Sequence, residues 1–205
     1  GRTPLLVPMA SQVDPAQLQE VTCETVRIDP PPVAPVVRRL ASPRVVWAGP
    51  AEQAVVGSGA AVVVHAAGVD RFTEVQSHLT AVWDALAFDG EPAARPRALG
   101  GFGFLPDASS APEWQAFPPA QLVIPQLQVS WEAETAWVTQ TRVDDHAAVS
   151  DLRAVAAAIE AIGAEDGAAA PRITAQTHTP ERGSWEAAVG QLLAQIDAGT
   201  LEKLV

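Results

Sequence analysis

Alternation of hydrophobic and polar residues in the first third of the chain predicts short β-strands. The clearest example is Val21–Ile28, and the three prolines Pro30-Pro31-Pro32 that follow it predict a loop. The same reasoning predicts three more strands, at Arg44–Trp47, Ala54–Val56 and Ala60–His65. This part of the chain is therefore expected to form a sheet.

A helical period then replaces the strand period. Between Arg71 and Ala87 the apolar residues recur at spacings of three and four, which places them on one face of a helix. They are Phe72, Val75, Leu79, Val82 and Leu86. We therefore predict a helix over Arg71–Ala87 that buries this face.

The central third predicts a return to strands. Ala98–Phe104 is typical of a glycine-rich strand, and Leu122–Trp131 and Thr135–Val143 predict a hairpin that turns at Glu132-Ala133-Glu134. In the first hairpin strand Leu127, Val129 and Trp131 alternate with Gln126, Gln128 and Ser130. This pattern predicts one buried face and one face in water.

Two helices are expected in the last third. Asp145–Ile162 carries Val149, Leu152, Ala156 and Ile159 on one face, and an Ala/Gly-rich linker, Gly163–Pro171, follows it. The last helix should run from Trp185 to Ala198, with Ser184 as its N-cap and Gly199 at its C-terminus. Antiparallel sheets with flanking helices make the predicted fold class α+β.

Composition and charge exclude several classes of function. The chain is 48% hydrophobic, as in globular proteins, and its net charge of −11 would repel phosphate backbones, so nucleic acid is excluded as a partner. No apolar run approaches 18 residues, so we expect no membrane span and a cytoplasmic location. The single cysteine, Cys23, excludes an internal disulfide and is expected to be a small buried hydrophobe.

The motifs that suggest ligand chemistry are weak. Gly57-Ser58-Gly59 opens onto a β-branched run and not onto a helix, and no Lys or Ser/Thr follows Gly100–Phe104 at phosphate-loop positions. Close strand packing is the expected role of the first glycine group. The second is expected to form a twisted strand whose glycines face a packed aromatic side chain. The four histidines, His65, His78, His146 and His178, do not share a metal-ligand spacing.

Lys203 is the only lysine of the chain, and it follows the last predicted helix. A lysine near a helix C-terminus is commonly a solvated cation that interacts with the helix dipole. The alternative is a catalytic base, which requires burial or a nearby cation to lower its pKa from about 10.4. The apolar run that begins beside it stops at Val205, so we expect this chain to be the front part of a longer protein.

The order of motifs resembles that of the chorismate-utilising enzymes. The resemblance spans residues 45–205 and rests on four segments. They are Arg44–Trp47 with Gly57–Ala61, Gly100–Phe104 with Trp114 and Phe117, Leu122–Pro125, and the helix with Trp185, Val189, Leu193 and Ile196 that leads into Gly199–Val205. The last segment is similar to the one that opens the catalytic half of that family.

The resemblance implies a particular reaction. Family members that release an aromatic amine from chorismate usually have Gln where Lys203 stands, whereas isochorismate and salicylate synthases have Lys. The implied function is an isochorismate synthase of menaquinone or siderophore biosynthesis, with chorismate as substrate and Mg²⁺ as cofactor. Lys203 would be the catalytic base that activates water.

The resemblance also divides the chain. Residues 1–180 would be scaffold and residues 181–205 the start of the catalytic portion. The general acid and the metal ligands would lie beyond Val205, so the 205 residues alone should be an inactive monomer. Two alternatives stay open: a salicylate synthase, and a non-catalytic α+β binding module whose Lys203 is merely exposed.

Overall fold

The computed structural model describes residues 20–50, 53–107, 117–143, 151–163 and 174–203. The described helices are α1 (Val33–Arg39), α2 (Arg71–Asp84), α3 (Leu152–Glu160) and α4 (Arg182–Asp197). The described strands are β1 (Val21–Ile28), β2 (Arg44–Ala48), β3 (Ala54–Ser58), β4 (Val62–Ala66), β5 (Leu86–Ala87), β6 (Leu99–Phe102), β7 (Ala120–Ile124), β8 (Leu127–Glu132) and β9 (Thr135–Val143). These elements confirm the predicted α+β class.

The strands described form two sheets. Six strands pair in the order β2-β3-β8-β9-β1-β5, and three pair in the order β4-β7-β6. All pairs are antiparallel except β1 with β5. The predicted bounds of β1 and β9 are confirmed, and the two strands pair along their lengths, from Val21 opposite Val143 to Ile28 opposite Ala136.

The predicted hairpin is half correct. Thr135–Val143 pairs with β8 through the expected turn, in which Ala133 has a φ of 51°. The continuous strand Leu122–Trp131 is wrong, because β7 ends at Ile124 and β8 begins at Leu127 in the other sheet. Pro125 lies at the break, and proline has no N–H to donate to a strand ladder.

The first hydrophobic core lies between the six-stranded sheet and helices α1 and α3. Leu127, Val129 and Trp131 are buried there as predicted, together with Val36 of α1. The Trp131 Nε1 donates a hydrogen bond of 2.8 Å to the Pro31 carbonyl, which ties the proline loop to the sheet. Helix α1 was not predicted, because its proline-rich neighbourhood indicated only a loop.

The opposite face of this sheet was predicted to be in water, and that prediction is wrong. Gln126, Gln128 and Ser130 are all buried. The segment 92–97, which begins with a short 3₁₀ turn at Pro92–Ala94, crosses this face. Backbone groups of the segment form hydrogen bonds with the Gln128 and Ser130 side chains. Gln128 and Ser130 therefore face the inside because they hydrogen-bond to a crossing chain segment, whereas the buried Gln126 Oε1 has no hydrogen-bond partner among the described residues.

The second core joins the three-stranded sheet to α2. Val75 and Val82 of α2 are buried in it, Leu79 is partly buried, and Phe72 is exposed. The predicted helix Arg71–Ala87 is too long, since α2 ends at Asp84 and Leu86–Ala87 form β5 beside Val21 and Thr22. Pairing with β1 therefore overrides the helical period in the last turn.

The ends of the later helices also differ from the predictions. Helix α3 begins at Leu152, where the Asp151 carboxylate accepts a 3.0 Å bond from the Ala154 N–H, and its buried face is confirmed. Val149 and most of the predicted linker lie outside the described residues. Helix α4 begins at Arg182, so Ser184 is inside the helix and is not its N-cap.

The chain divides into two compact units, residues 1–167 and 168–205. The functional division predicted after residue 180 stays a prediction. Of the helices in the described ranges, none combines the length and the apolarity that a bilayer-spanning helix needs.

Candidate functional site

Helix α4 ends in a Schellman motif that leads the chain towards Lys203. Gly199 has a φ of 70°, and its N–H donates a 2.9 Å bond to the Ile196 carbonyl. The Thr200 N–H donates a second 2.9 Å bond to the Gln195 carbonyl. These are the two reversed bonds that close such a helix end, and they require a residue that tolerates positive φ. The predicted role of Gly199 is confirmed.

Lys203 lies four residues after this glycine, in neither a helix nor a strand. Its side chain is exposed, as is that of Glu202, while Leu201 is half-buried. The described surroundings therefore leave the Lys203 side chain open to solvent. The catalytic assignment of Lys203 therefore stays a prediction.

The described residues do not gather a metal site. Within the ranges that the structure covers, no group of three or more His, Cys, Asp or Glu side chains could hold a metal ion. His65 and His178 are exposed, His78 is half-buried, and His146 lies outside the described residues. Mg²⁺ prefers several oxygen ligands. The side chains described here therefore do not fit it.

Both glycine groups lie where strands pack closely, as predicted for Gly57. Around Gly100 and Gly103 the nearest described atoms are backbone atoms and not the predicted aromatic ring. A Cβ atom on Gly100 would collide with the Gln121 carbonyl of β7, and one on Gly57 would collide with the Pro125 ring. Glycine is thus required where β6 and β3 approach their neighbours closely. The described arrangement gives no support to a phosphate loop at either place.

The end of the glycine-rich strand is held by Arg71, a role that was not predicted from the sequence. This arginine is only 7% exposed and donates 3.2 Å hydrogen bonds to the carbonyls of Gly68 and Gly103. Its guanidinium lies 4.4 Å from the centre of the Phe72 ring, which stacks on Phe102 at 4.5 Å. The available signal was an arginine at the first position of a predicted helix, directly after a glycine turn.

Cys23 is not an activated nucleophile. Burial raises the pKa of its thiol to about 11, and the hydrogen bond to Thr141 and the nearby arginines Arg142 and Arg95 lower it only in part. The thiol donates a 3.6 Å bond to the Thr141 hydroxyl. A thiolate is therefore scarce at neutral pH. The side chain is half-buried and hydrogen-bonded, whereas it was predicted to be a buried hydrophobe.

Comparison with known proteins accounts for the order of these motifs. The sequence profile described as "chorismate binding enzyme" matches residues 6–205, which is nearly the whole chain. The chain belongs to the chorismate-binding enzyme family. A search of curated proteins gives no match.

Several of the candidate residues lie within the region that matches the chorismate-binding family. The matched region contains the Gly100–Phe104 strand, the α4 helix end and Lys203. It supports a chorismate-utilising enzyme, with chorismate as the small molecule on which the family acts. The structure stacks Phe72 on Phe102 and bonds Arg71 to the Gly103 carbonyl.

Proposed function

We propose that this member of the chorismate-binding family is an isochorismate synthase. The observation that carries the proposal is the family match over residues 6–205 together with Lys203, which stands where amine-releasing members usually have Gln. A glutamine amide cannot accept a proton from water near neutral pH, whereas a neutral lysine can. The residue type at this position thus favours water over ammonia as the nucleophile.

The reaction exchanges one hydroxyl position for another. In the proposed step the neutral Lys203 amine takes a proton from a water molecule, whose oxygen bonds to C2 of chorismate. Both double bonds of the ring diene shift, and the C4–O bond breaks as an acid gives that hydroxyl a proton, so that one water enters and one leaves. We propose a glutamic acid as this acid, and Mg²⁺ as the group that would neutralise the substrate carboxylate.

Within the described ranges no cluster of side chains fits Mg²⁺, so the one role proposed for a described residue of this chain is that of Lys203 as the base. Lys203 is exposed, so it can act as a base only when substrate or further protein covers it and removes water from its amine. The proposal therefore predicts that Lys203 becomes buried when chorismate binds.

The test is a product analysis on the protein as its complete gene encodes it, with chorismate and Mg²⁺. We expect isochorismate, which would supply menaquinone or siderophore biosynthesis. Salicylate with pyruvate would instead identify a salicylate synthase, and an aromatic amine formed from ammonia would refute the role of Lys203. The absence of any turnover would favour the non-catalytic binding module.

Two variants of Lys203 distinguish its proposed role as a base from an effect of its positive charge. Lys203→Arg keeps the positive charge but does not deprotonate near neutral pH, so kcat should fall by roughly 10²- to 10⁴-fold, as in Lys203→Ala. The control is Arg182→Gln, an exposed arginine at the opposite end of α4, which should retain activity. A cytoplasmic monomer is part of the proposal and is checked by cell fractionation and light scattering.

A further inference from the structure

A groove lies on the six-stranded sheet, on the side that the segment after β5 crosses. It has a volume of about 710 Å³ and is lined by Thr25, Arg27, Asp89, Gly90, Glu91, Thr135 and Trp137. The volume lies within the range of roughly 300–1,000 Å³ that is usual for small-molecule sites. Gly90 allows the loop to approach β1, because a Cβ there would lie 3.3 Å from Thr25 Cγ2.

Charges of both signs line this groove without neutralising each other. Arg27 donates one 3.3 Å hydrogen bond to the Thr135 hydroxyl and lies opposite Trp137 in the strand register. Asp89 and Glu91 are exposed, and in the part of the chain that the structure describes neither forms an ion pair. One guanidinium and two carboxylates are therefore available to a ligand.

The hydroxyl groups of the groove have fixed roles. The Thr139 hydroxyl donates its single proton to the Ala94 carbonyl at 2.7 Å. In the 3.3 Å contact between Thr25 and Thr139, the donor must therefore be Thr25. The Thr25 oxygen is left as an acceptor, whereas Thr135 already accepts from Arg27 and keeps its own proton as a donor.

From this arrangement we propose that the groove binds a basic amino acid. Such a molecule carries one carboxylate and two cationic groups on a short apolar chain, which is the complement of one guanidinium and two carboxylates. Its carboxylate would accept from Arg27 and Thr135, its cationic groups would pair with Asp89 and Glu91, and its methylenes would lie along Trp137. The proposal does not depend on the isochorismate synthase assignment.

Isothermal titration calorimetry without chorismate tests the site, with L-lysine, L-ornithine and L-arginine as probes. Norleucine lacks the second cation and 1,5-diaminopentane lacks the carboxylate. At least one basic amino acid should bind about tenfold or more tightly than both of these, because each comparator loses a charged hydrogen-bonding group. Absence of binding by all three amino acids, or equal binding of the comparators, overturns the proposal.

Variants then locate the binding. Arg27→Gln should remove the preference for lysine over 1,5-diaminopentane. The double variant Asp89→Asn/Glu91→Gln should remove the preference for lysine over norleucine, because the side-chain amine pairs with one of these two carboxylates. The matched control is Arg153→Gln, an exposed arginine on α3 outside the groove, which should bind like wild type. Melting curves verify that each variant folds. If folded Arg27→Gln and Asp89→Asn/Glu91→Gln bind lysine as wild type does, the ligand lies elsewhere and the proposal fails.

Discussion

The anchoring of segment 92–97 by Gln128 can be tested with one substitution. Gln128 is fully buried, accepts a 2.9 Å hydrogen bond from the Arg97 N–H, and donates one of 3.1 Å to the Arg95 carbonyl. Gln128→Leu keeps the side chain's approximate volume but removes both bonds. Two backbone groups of the crossing segment then lose their partners.

The expected cost follows from these two bonds. Each contributes about 0.5–1.5 kcal/mol net, and a backbone group left without a partner costs more where water cannot reach it. Arg95 is exposed and Arg97 is half-buried, so water can compensate in part. We therefore expect Gln128→Leu to lower the free energy of unfolding by about 2–3 kcal/mol, which in a chain of this size lowers Tm by roughly 4–12 °C.

Urea unfolding measures this loss, and native-state hydrogen exchange should show faster exchange at the Arg97 amide. The control is Gln76→Leu, an exposed glutamine on α2, which should stay within about 0.5 kcal/mol of wild type. If Gln128→Leu unfolds at the same urea concentration as Gln76→Leu, the buried polar face does not hold the segment and the reasoning is refuted.

A second substitution at Gln128 tests the direction in which stability changes with pH. Protonated Gln128→Glu can still accept from Arg97 and donate to Arg95, but its ionised form loses the donor and buries a charge. Burial should raise the pKa of the introduced carboxyl above its unfolded value of about 4.3. This variant should therefore lose stability relative to wild type as pH rises from 5 to 7, and unchanged relative stability over that range would contradict the burial.

Three further predictions concern other parts of the chain. Trp131→Phe leaves the Pro31 carbonyl without its 2.8 Å donor and should cost about 1–3 kcal/mol in urea unfolding, whereas exposed Trp47→Phe should cost less than about 0.5. With a thiol pKa of about 11, Cys23 should react with iodoacetamide about 50-fold more slowly at pH 9 in the native chain than in the urea-unfolded chain, because the unfolded thiol has the ordinary value of 9.0. Because the thiol pKa is higher in the folded chain, its contribution to the free energy of unfolding is fully present below pH 9 and is lost as pH rises towards 11. Equal alkylation rates in the native and the unfolded chain would refute the raised pKa. Gly199→Ala should destabilise the end of α4 by about 1 kcal/mol because φ is 70°, while Gly190→Ala inside the helix should stabilise it by a similar amount, as hydrogen exchange of the α4 amides would show.

The sequence by itself determined those elements whose own residues carry the whole signal. Alternation set the bounds of Val21–Ile28 and Thr135–Val143, the helical period identified the buried face of Leu152–Glu160, and Gly199 marked the end of α4. These features depend on interactions between residues close in sequence or on the two faces of one strand. They can therefore be read without knowledge of the partners.

Tertiary structure alone decided which segment covers each face. The alternating pattern predicted that Gln128 and Ser130 face solvent. A segment more than 30 residues away in sequence instead supplies their hydrogen-bond partners. Pro125 separates β7 from β8 because each pairs in a different sheet, and Leu86 leaves the helix because Val21 pairs with it. A periodic pattern shows which residues share a face of a helix or strand, but it does not show which other segment packs on that face. The packed segment decides whether a polar side chain is solvated, hydrogen-bonded or part of a site.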